Sequence, residues 1–370
     1  MNEKMPQGAS HGNPQDGTSG VSQGASLGEP HNGTSDVPQD ASHGKPQDGT
    51  SGVSQGVARD MPQDVTLGVS ICGIDFKNPV IAASGTFGFG REYSSYFDIG
   101  KLGGISVKGL TLEPRQGNKP PRVAETPAGM LNSVGLQNPG IEAFIKSELP
   151  YLLKIKSKSG IMIIANAAGN TVDDYVEMAR LLSETDIDAI ELNVSCPNVK
   201  EGGISFGASE KSVSKVVGAV KRFCKKPLIV KLTPNVADIA AISRAARDAG
   251  ADALSLINTL VGMKIDINSR RPVLKNNTGG LSGPAVMPIA VRMVWEAANA
   301  VDIPIIGMGG ISSGEDAIEF LLVGAHAVMV GTASFIHPDA CLGVISGIVD
   351  YMVRQGCTSL HDIIGKVEIW

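Results

Sequence analysis

The residues of this chain that could do chemistry are amides, lysines and one thiol. Residues 191–198 read ELNVSCPN, with Cys196 between Asn193 and Asn198. A thiol in that setting admits four roles: metal ligand, nucleophile, proton-transfer base or inert core group. Lys108 in "SVKG" and Lys231 in "IVKL" have apolar neighbours, so both are expected to point into an enclosed space beside an anion. Snorkelling or a structural ion pair is the plain alternative for each, and a Schiff-base lysine is a rival chemistry. Asn132 and Asn138 lie in "MLNSVGLQNPG" (130–140). An amide side chain both donates and accepts hydrogen bonds. With Asn193, Asn198 and Asn258 these two could grip a flat ligand bearing imide and carboxylate groups. Turn chemistry is the alternative for Asn138 and Asn198.

Such side chains need rigid elements to aim them. Eight short apolar or β-branched runs recur through the chain: 79–84, 103–109, 161–169, 189–195, 227–232, 253–259, 303–310 and 327–332. Helix-like segments alternate with them. "TVDDYVEMARLLSET" offers Thr171 as N-cap with Asp173 and Asp174 in the first turn. "SEKSVSKVVGAVKRFCKK" ends in a basic last turn, and "VADIAAISRAARDAG" and "SSGEDAIEFLLVGA" end near a glycine. Eight strands alternating with helices predict an α/β fold, a (β/α)8 TIM barrel. "VTLGVSICGIDFKNPV" predicts a small hairpin before the barrel. The gap 110–160 exceeds one crossover helix and predicts an insertion after strand 2. A doubly wound open sheet is the rival, but "AASGTFGFG" (82–90) only loosely imitates its glycine turn.

In a barrel the chemistry gathers at the C-terminal strand ends. Read there in order, the chain presents Ser84 and Gly85, Lys108, Asn166, Asn193 and Cys196, then Lys231, Asn258 and Thr259, Gly309 and Gly310, and Gly331 and Thr332. No strand-end carboxylate pair suggests glycoside hydrolysis. No HExxH motif or Asp cluster suggests a metal. Glycines at the ends of strands 7 and 8 let backbone approach a phosphate, so a phosphorylated ligand is expected there.

Composition narrows the field further. The chain has 370 residues, 42% hydrophobic and 19% charged, and a formal net charge of −5. That balance gives no reason to expect a nucleic-acid partner. The five cysteines stand far apart, with no CxxC pair, so neither a zinc site nor an iron–sulfur cluster is expected within this chain. An odd count of cysteines suits reduced thiols in the cytoplasm. No apolar run approaches the ~18 residues of a membrane span, and the N-terminus lacks the apolar core of a secretory signal.

Residues 1–64 are a different material. "PQGASHGNPQDGTSGVSQG" (6–24) returns as "PQDASHGKPQDGTSGVSQG" (38–56), 32 residues on and with two differences. The repeat has almost nothing to bury, since no aromatic residue precedes Phe76. Such a segment cannot recover its ordering entropy and is expected to be a disordered, low-complexity tail. The ordered barrel domain is expected over 65–370.

Over that whole stretch the chain resembles the dihydroorotate dehydrogenases, FMN enzymes of pyrimidine synthesis. The resemblance rests on "NPVIAASGTFGFG", "GGISVKGLTLEPRQGNKPPRVAETPAGMLNSVGLQNPG", "ELNVSCPN", "VKLTPN", "INTLVGMKIDI", "GGLSGPA", "IIGMGGI" and "VMVGTA". The cysteine of "NVSCPN" resembles the soluble class 1, because the membrane-linked, quinone-using class has serine there. "NSVGLQNPG" and "INTLVGMKIDI" most resemble the NAD-linked subtype. That implies a second subunit carrying FAD and a 2Fe-2S cluster, in a heterotetramer built on a dimer of catalytic subunits. The fumarate-using homodimer is the runner-up, and a flavin-free phosphate-binding lyase or isomerase is the rival of another class.

The resemblance implies roles residue by residue. Lys108, Asn132, Ser133, Val134, Gly135, Leu136 and Asn138 line the orotate pocket, with Asn193, Asn198, Asn258 and Thr259. Ser84, Gly85, Lys108, Asn166, Asn193, Lys231, Ile257 and Gly283 hold FMN, and Gly309, Gly310, Gly331 and Thr332 surround its phosphate. Cys196 takes the C5 proton of dihydroorotate while the C6 hydride goes to flavin N5. Lys231 balances the charge of the reduced flavin, and Lys108 sits at the flavin–substrate junction. "VKEGGISFG" after Cys196 has the glycines of a lid.

Overall fold

The computed structural model describes residues 65–195 and 206–370. The expected tail, 1–64, and the segment 196–205, with Cys196, Asn198 and most of the expected lid, lie outside the described residues.

The chain enters through a hairpin, β1 (Val69–Ile71) and β2 (Ile74–Phe76), with Val69 opposite Phe76. Its turn residues Cys72 and Gly73 have φ of 53° and 76°. Two successive positive φ values are the geometry that a tight two-residue hairpin requires. Then come β3 (Val80–Ala82) and β4 (Gly104–Ser106), followed by a second hairpin, β5 (Val123–Thr126) and β6 (Gly129–Asn132). The series continues with β7 (Met162–Ala167), β8 (Ala189–Asn193), β9 (Leu228–Lys231) and β10 (Ala253–Leu256). Four short strands follow: β11 (Leu260–Gly262), β12 (Ile265–Asp266), β13 (Arg271–Pro272) and β14 (Gly279–Ser282). The last two are β15 (Ile305–Met308) and β16 (Ala327–Val330).

Eight of these strands, β3, β4, β7, β8, β9, β10, β15 and β16, pair in parallel and close into a barrel. They are the eight runs expected from sequence, trimmed at their ends. Every residue of seven of them is buried, as is all but the first of β7. Burial on both faces explains why they read as continuous apolar runs instead of alternating ones. Helices cover the outside. Thr171 caps Val172–Ser183 and forms a capping box with Asp174. Ser209 caps Glu210–Lys221, Asp238 caps Ile239–Asp248, and Ser313 caps Gly314–Leu322. Each cap side chain accepts from a first-turn N–H that would otherwise lack a partner.

The insertion after strand 2 is the β5–β6 hairpin followed by a helical stretch, 141–159. The hairpin does not stand alone. It joins β14 and β11 in a four-stranded antiparallel sheet of order β11-β14-β6-β5. Two segments more than a hundred residues apart therefore build one wall over the barrel's C-terminal end. One expected strand end also moves. Lys108 lies two residues beyond β4, where its N–H donates to Gly88 O at 3.0 Å instead of continuing the ladder. No described helix is long and apolar enough to cross a membrane.

Candidate active site

A cavity of about 890 Å³ opens at the C-terminal ends of the barrel strands. Its walls contain Ser84 and Gly85 after β3, then Lys108, Asn166 of β7, Asn193 of β8 and Lys231 of β9. They continue through Ile257, Asn258 and Thr259 after β10, Gly309 and Gly310 after β15, and Gly331 and Thr332 after β16. The small sheet contributes Asn132, and the loops leaving its strands contribute Val134, Gly135, Leu136 and Gly283. One cavity thus collects nearly all the site residues expected from sequence that are described.

Two are not in its walls. Asn138 is buried, and its amide is spent inside its own loop. Its Oδ1 accepts from the backbone N–H groups of Gly140 (2.9 Å) and Thr111 (3.2 Å), and its Nδ2 donates to Leu136 O (2.7 Å) and Thr111 Oγ1 (2.9 Å). The turn-chemistry alternative describes this residue: it braces the loop that delivers Leu136 to the cavity. Ser133 is the other, with its Oγ buried and unpartnered among the described residues.

The amides in the wall are oriented by their neighbours. Asn258 Nδ2 donates to Asn193 Oδ1 at 3.2 Å, and that oxygen also accepts from Ser195 N at 3.2 Å. The amide nitrogen of Asn193 makes no hydrogen bond among the described residues. Tyr175 Oη donates to the Asn193 carbonyl at 2.7 Å and holds the strand end from behind. Asn166 Nδ2 donates to Glu191 Oε2 at 2.5 Å. Its Oδ1 is buried without a partner among the described residues. A buried acceptor left unpaired costs about 1–3 kcal/mol unless a ligand donor satisfies it. A Cβ on Gly109 would stand 2.9 Å from that oxygen, so the glycine keeps the slot in front of it open.

Glycine is required at the far end for a steric reason. Gly309 and Gly310 have φ of 132° and 88°. A Cβ there would lie 2.7 Å from Ala290 Cβ and Met287 Cβ respectively. Thr332 Oγ1 donates to Ser282 Oγ at 2.9 Å, which ties this edge to the small sheet. Ser282 also lines the cavity and was not singled out from sequence.

Glu191 stands in ELNVSCPN and has no role in the sequence reading. It is fully buried. Period-two alternation puts Glu191 on the same face of β8 as Asn193, which lines the cavity. Lys231 Nζ lies 3.8 Å from Glu191 Oε2.

Thiol chemistry is confined by burial. Desolvation, with Asp252 nearby, pushes the Cys72 thiol up to about 11, and burial pushes Cys341 up to about 12. Burial also raises Cys224. A thiol held protonated is a poor base or nucleophile near neutral pH. No group of three or more His, Cys, Asp or Glu side chains suited to a metal occurs among the described residues.

A closed parallel barrel with an amide- and lysine-lined mouth and a glycine edge defines a ligand-binding (β/α)8 barrel of the enzyme type. Residues 66–352 match the family described as Dihydroorotate dehydrogenase, and the chain belongs to that family. It is 57% identical over 297 residues to a protein of Alkaliphilus oremlandii (strain OhILAs), covering 80% of this chain and 97% of the relative. It is 55% identical over 298 residues to one of Petrotoga mobilis, covering 80% and 98%. A relative from Bacteroides thetaiotaomicron is 54% identical over 297 residues, covering 80% and 97%. All three are named "Dihydroorotate dehydrogenase B (NAD(+)), catalytic subunit".

Proposed function

We propose that this chain is the FMN-binding catalytic subunit of an NAD-linked dihydroorotate dehydrogenase, oxidising (S)-dihydroorotate to orotate for pyrimidine synthesis in the cytoplasm. The observation that carries the reading is the single cavity that joins the amide wall, the two lysines and the glycine edge. Its residues fit FMN. The unpaired Asn166 Oδ1 suits a donor on a flat ring, and the edge formed by Gly309, Gly310, Gly331 and Thr332 suits a phosphate. FMN bound there would supply the acceptor for the hydride from C6 of the substrate.

The chain's own residues do the rest. Cys196 removes the C5 proton; held close to a carbon acid, such a base contributes about 10²–10⁴ in rate. Asn132, Asn193, Asn198 and Asn258 orient the substrate through its imide and carboxylate groups, with the backbone of 133–136 closing one side. Asn138 acts through that loop. Lys108 stands where substrate and cofactor meet. Lys231 supplies positive charge where negative charge grows on the cofactor, a preorganised contribution. Ser84, Gly85, Ile257 and Gly283 complete the cofactor's walls. The relatives' names support NAD+ as the final oxidant. The electrons leave through a partner subunit bearing FAD and a 2Fe-2S cluster, in a heterotetramer built on a dimer of this chain.

The test is co-purification from native cells followed by a spectrum and an oxidant comparison. Flavin bands, an associated subunit and turnover with NAD+ are expected. Absence of flavin would refute the reading, and turnover with fumarate alone would replace the NAD-linked subtype by the homodimeric one.

A further inference from the structure

Glu191 is the one carboxylate inside the described barrel, and the proposed chemistry gives it no task. A fully buried charge is costly unless it is paired and hydrogen-bonded. Here it is both. Oε2 accepts from Ser106 Oγ at 2.7 Å and Asn166 Nδ2 at 2.5 Å. Oε1 accepts from Ser255 Oγ at 2.7 Å. Lys231 Nζ stands 3.8 Å from Oε2, beyond hydrogen-bond length but within ion-pair range. Five adjacent strands, β4, β7, β8, β9 and β10, therefore meet at one side chain.

Two consequences follow for the cavity above. An ionised carboxylate only accepts, so Asn166 must turn its nitrogen towards Glu191 and its oxygen away. That oxygen is buried without a partner among the described residues, on a residue that lines the cavity. Glu191 also sets how much of the Lys231 charge a ligand feels. Lys231 has no other charged partner among the described residues, so its field at the cavity is that of a cation partly cancelled from beneath.

We propose that Glu191 is a positioning residue that fixes the Asn166 amide and, by partly neutralising Lys231, lowers the reduction potential of the flavin held above them. The inference rests on the flavin reading of the site. Its sign follows from charge. Reduction adds negative charge to the ring, Lys231 favours that, and Glu191 opposes it. A carboxylate at this place makes the reduced cofactor a better donor to the next carrier.

The experiment is potentiometric titration of FMN bound to the full chain. Glu191→Gln keeps the shape and removes the charge. It is expected to favour reduced over oxidised FMN about tenfold more than the wild type, an upward shift of about 30 mV for a two-electron couple. Ser255→Ala removes one hydrogen bond and keeps the charge, so its potential should stay at the wild-type value. If Glu191→Gln does not fold because Lys231 is left uncompensated, Lys231→Met and Glu191→Gln/Lys231→Met provide the comparison. Lys231→Met should lower the potential, and adding Glu191→Gln should raise it again. An unchanged potential on removing Glu191 in either background overturns the inference. So does an equal shift from Ser255→Ala, which would make the network merely structural. A wild-type chain that binds no FMN would overturn the flavin reading as well, and the spectrum tells these failures apart.

Discussion

Asn258 and Asn193 join their side-chain amides at 3.2 Å across the mouth of the barrel, over the strand that carries Lys231. The contact spends Asn193 Oδ1, while its nitrogen makes no hydrogen bond among the described residues. Asn258 Oδ1 is in turn held by Thr259 N at 2.8 Å. Removing Asn258 therefore frees Asn193 to rotate as well as deleting a contact of its own. Asn258→Ala should raise the KM for dihydroorotate by the equivalent of about 1–3 kcal/mol, with the flavin retained. Steady-state kinetics beside the flavin absorbance of the same sample checks it. An unchanged KM would remove Asn258 from the substrate side.

The thiol assignments separate in a labelling experiment. Cys72 at about 11 and Cys341 at about 12 are almost wholly protonated at pH 8, and only the thiolate is alkylated. Iodoacetamide followed by peptide mass spectrometry should modify Cys196 well before either, and orotate should protect Cys196. Cys196→Ala should keep the bound flavin and lose about 10²–10⁴ in turnover at neutral pH. Full turnover in that variant would rule out Cys196 as the base.

The glycine edge makes a steric prediction. Gly310 has φ of 88°, and a Cβ there would meet Met287 Cβ at 2.7 Å and Gly283 O at 2.9 Å. Gly310→Ala must displace this backbone, so FMN affinity should fall at least about tenfold, or 1.4 kcal/mol. Flavin release on ultrafiltration, compared with wild type, measures it.

A stability prediction lies away from the site. Gly314 and Gly347 bring the helices Gly314–Leu322 and Ala340–Gln355 into backbone contact. A Cβ on Gly347 would be 2.8 Å from Gly314 Cα. Gly347→Ala should cost about 1–3 kcal/mol by overpacking. A thermal melt should show a lower Tm, while the flavin potential stays put.

All eight barrel strands fall within the described residues, and the sequence of 1–64 carries almost nothing to bury. Deleting residues 1–60 should leave Tm and dihydroorotate oxidation nearly unchanged. A large loss in either would give the duplicated tail a structural or functional part.

The barrel was legible because its signals are local. Each strand declared itself by a short apolar run, and four helices by an end signal: Thr171 as N-cap, a basic last turn, or a glycine stop. Strand order along the chain then predicted which residues reach the mouth, and Asn166, Asn193, Lys231 and Gly310 are all there. Where the outcome depended on distant partners, local reading stopped. Asn132 and Asn138 are the same residue type six positions apart. One lines the cavity because β6 pairs with β14, far along the chain; the other is turned inward by Thr111 and Gly140. Alternation puts Glu191 on the same face of its strand as Asn193. That a carboxylate can be charged there is decided by hydroxyls and an amide from three other strands, and by a lysine from a fourth. Sequence by itself determined the elements, their order and the chemistry at their ends, because these depend on neighbours within a few residues. Tertiary structure decided which polar groups are spent on one another and which remain for a ligand, because hydrogen bonds and charges are shared across strands that only barrel closure brings together.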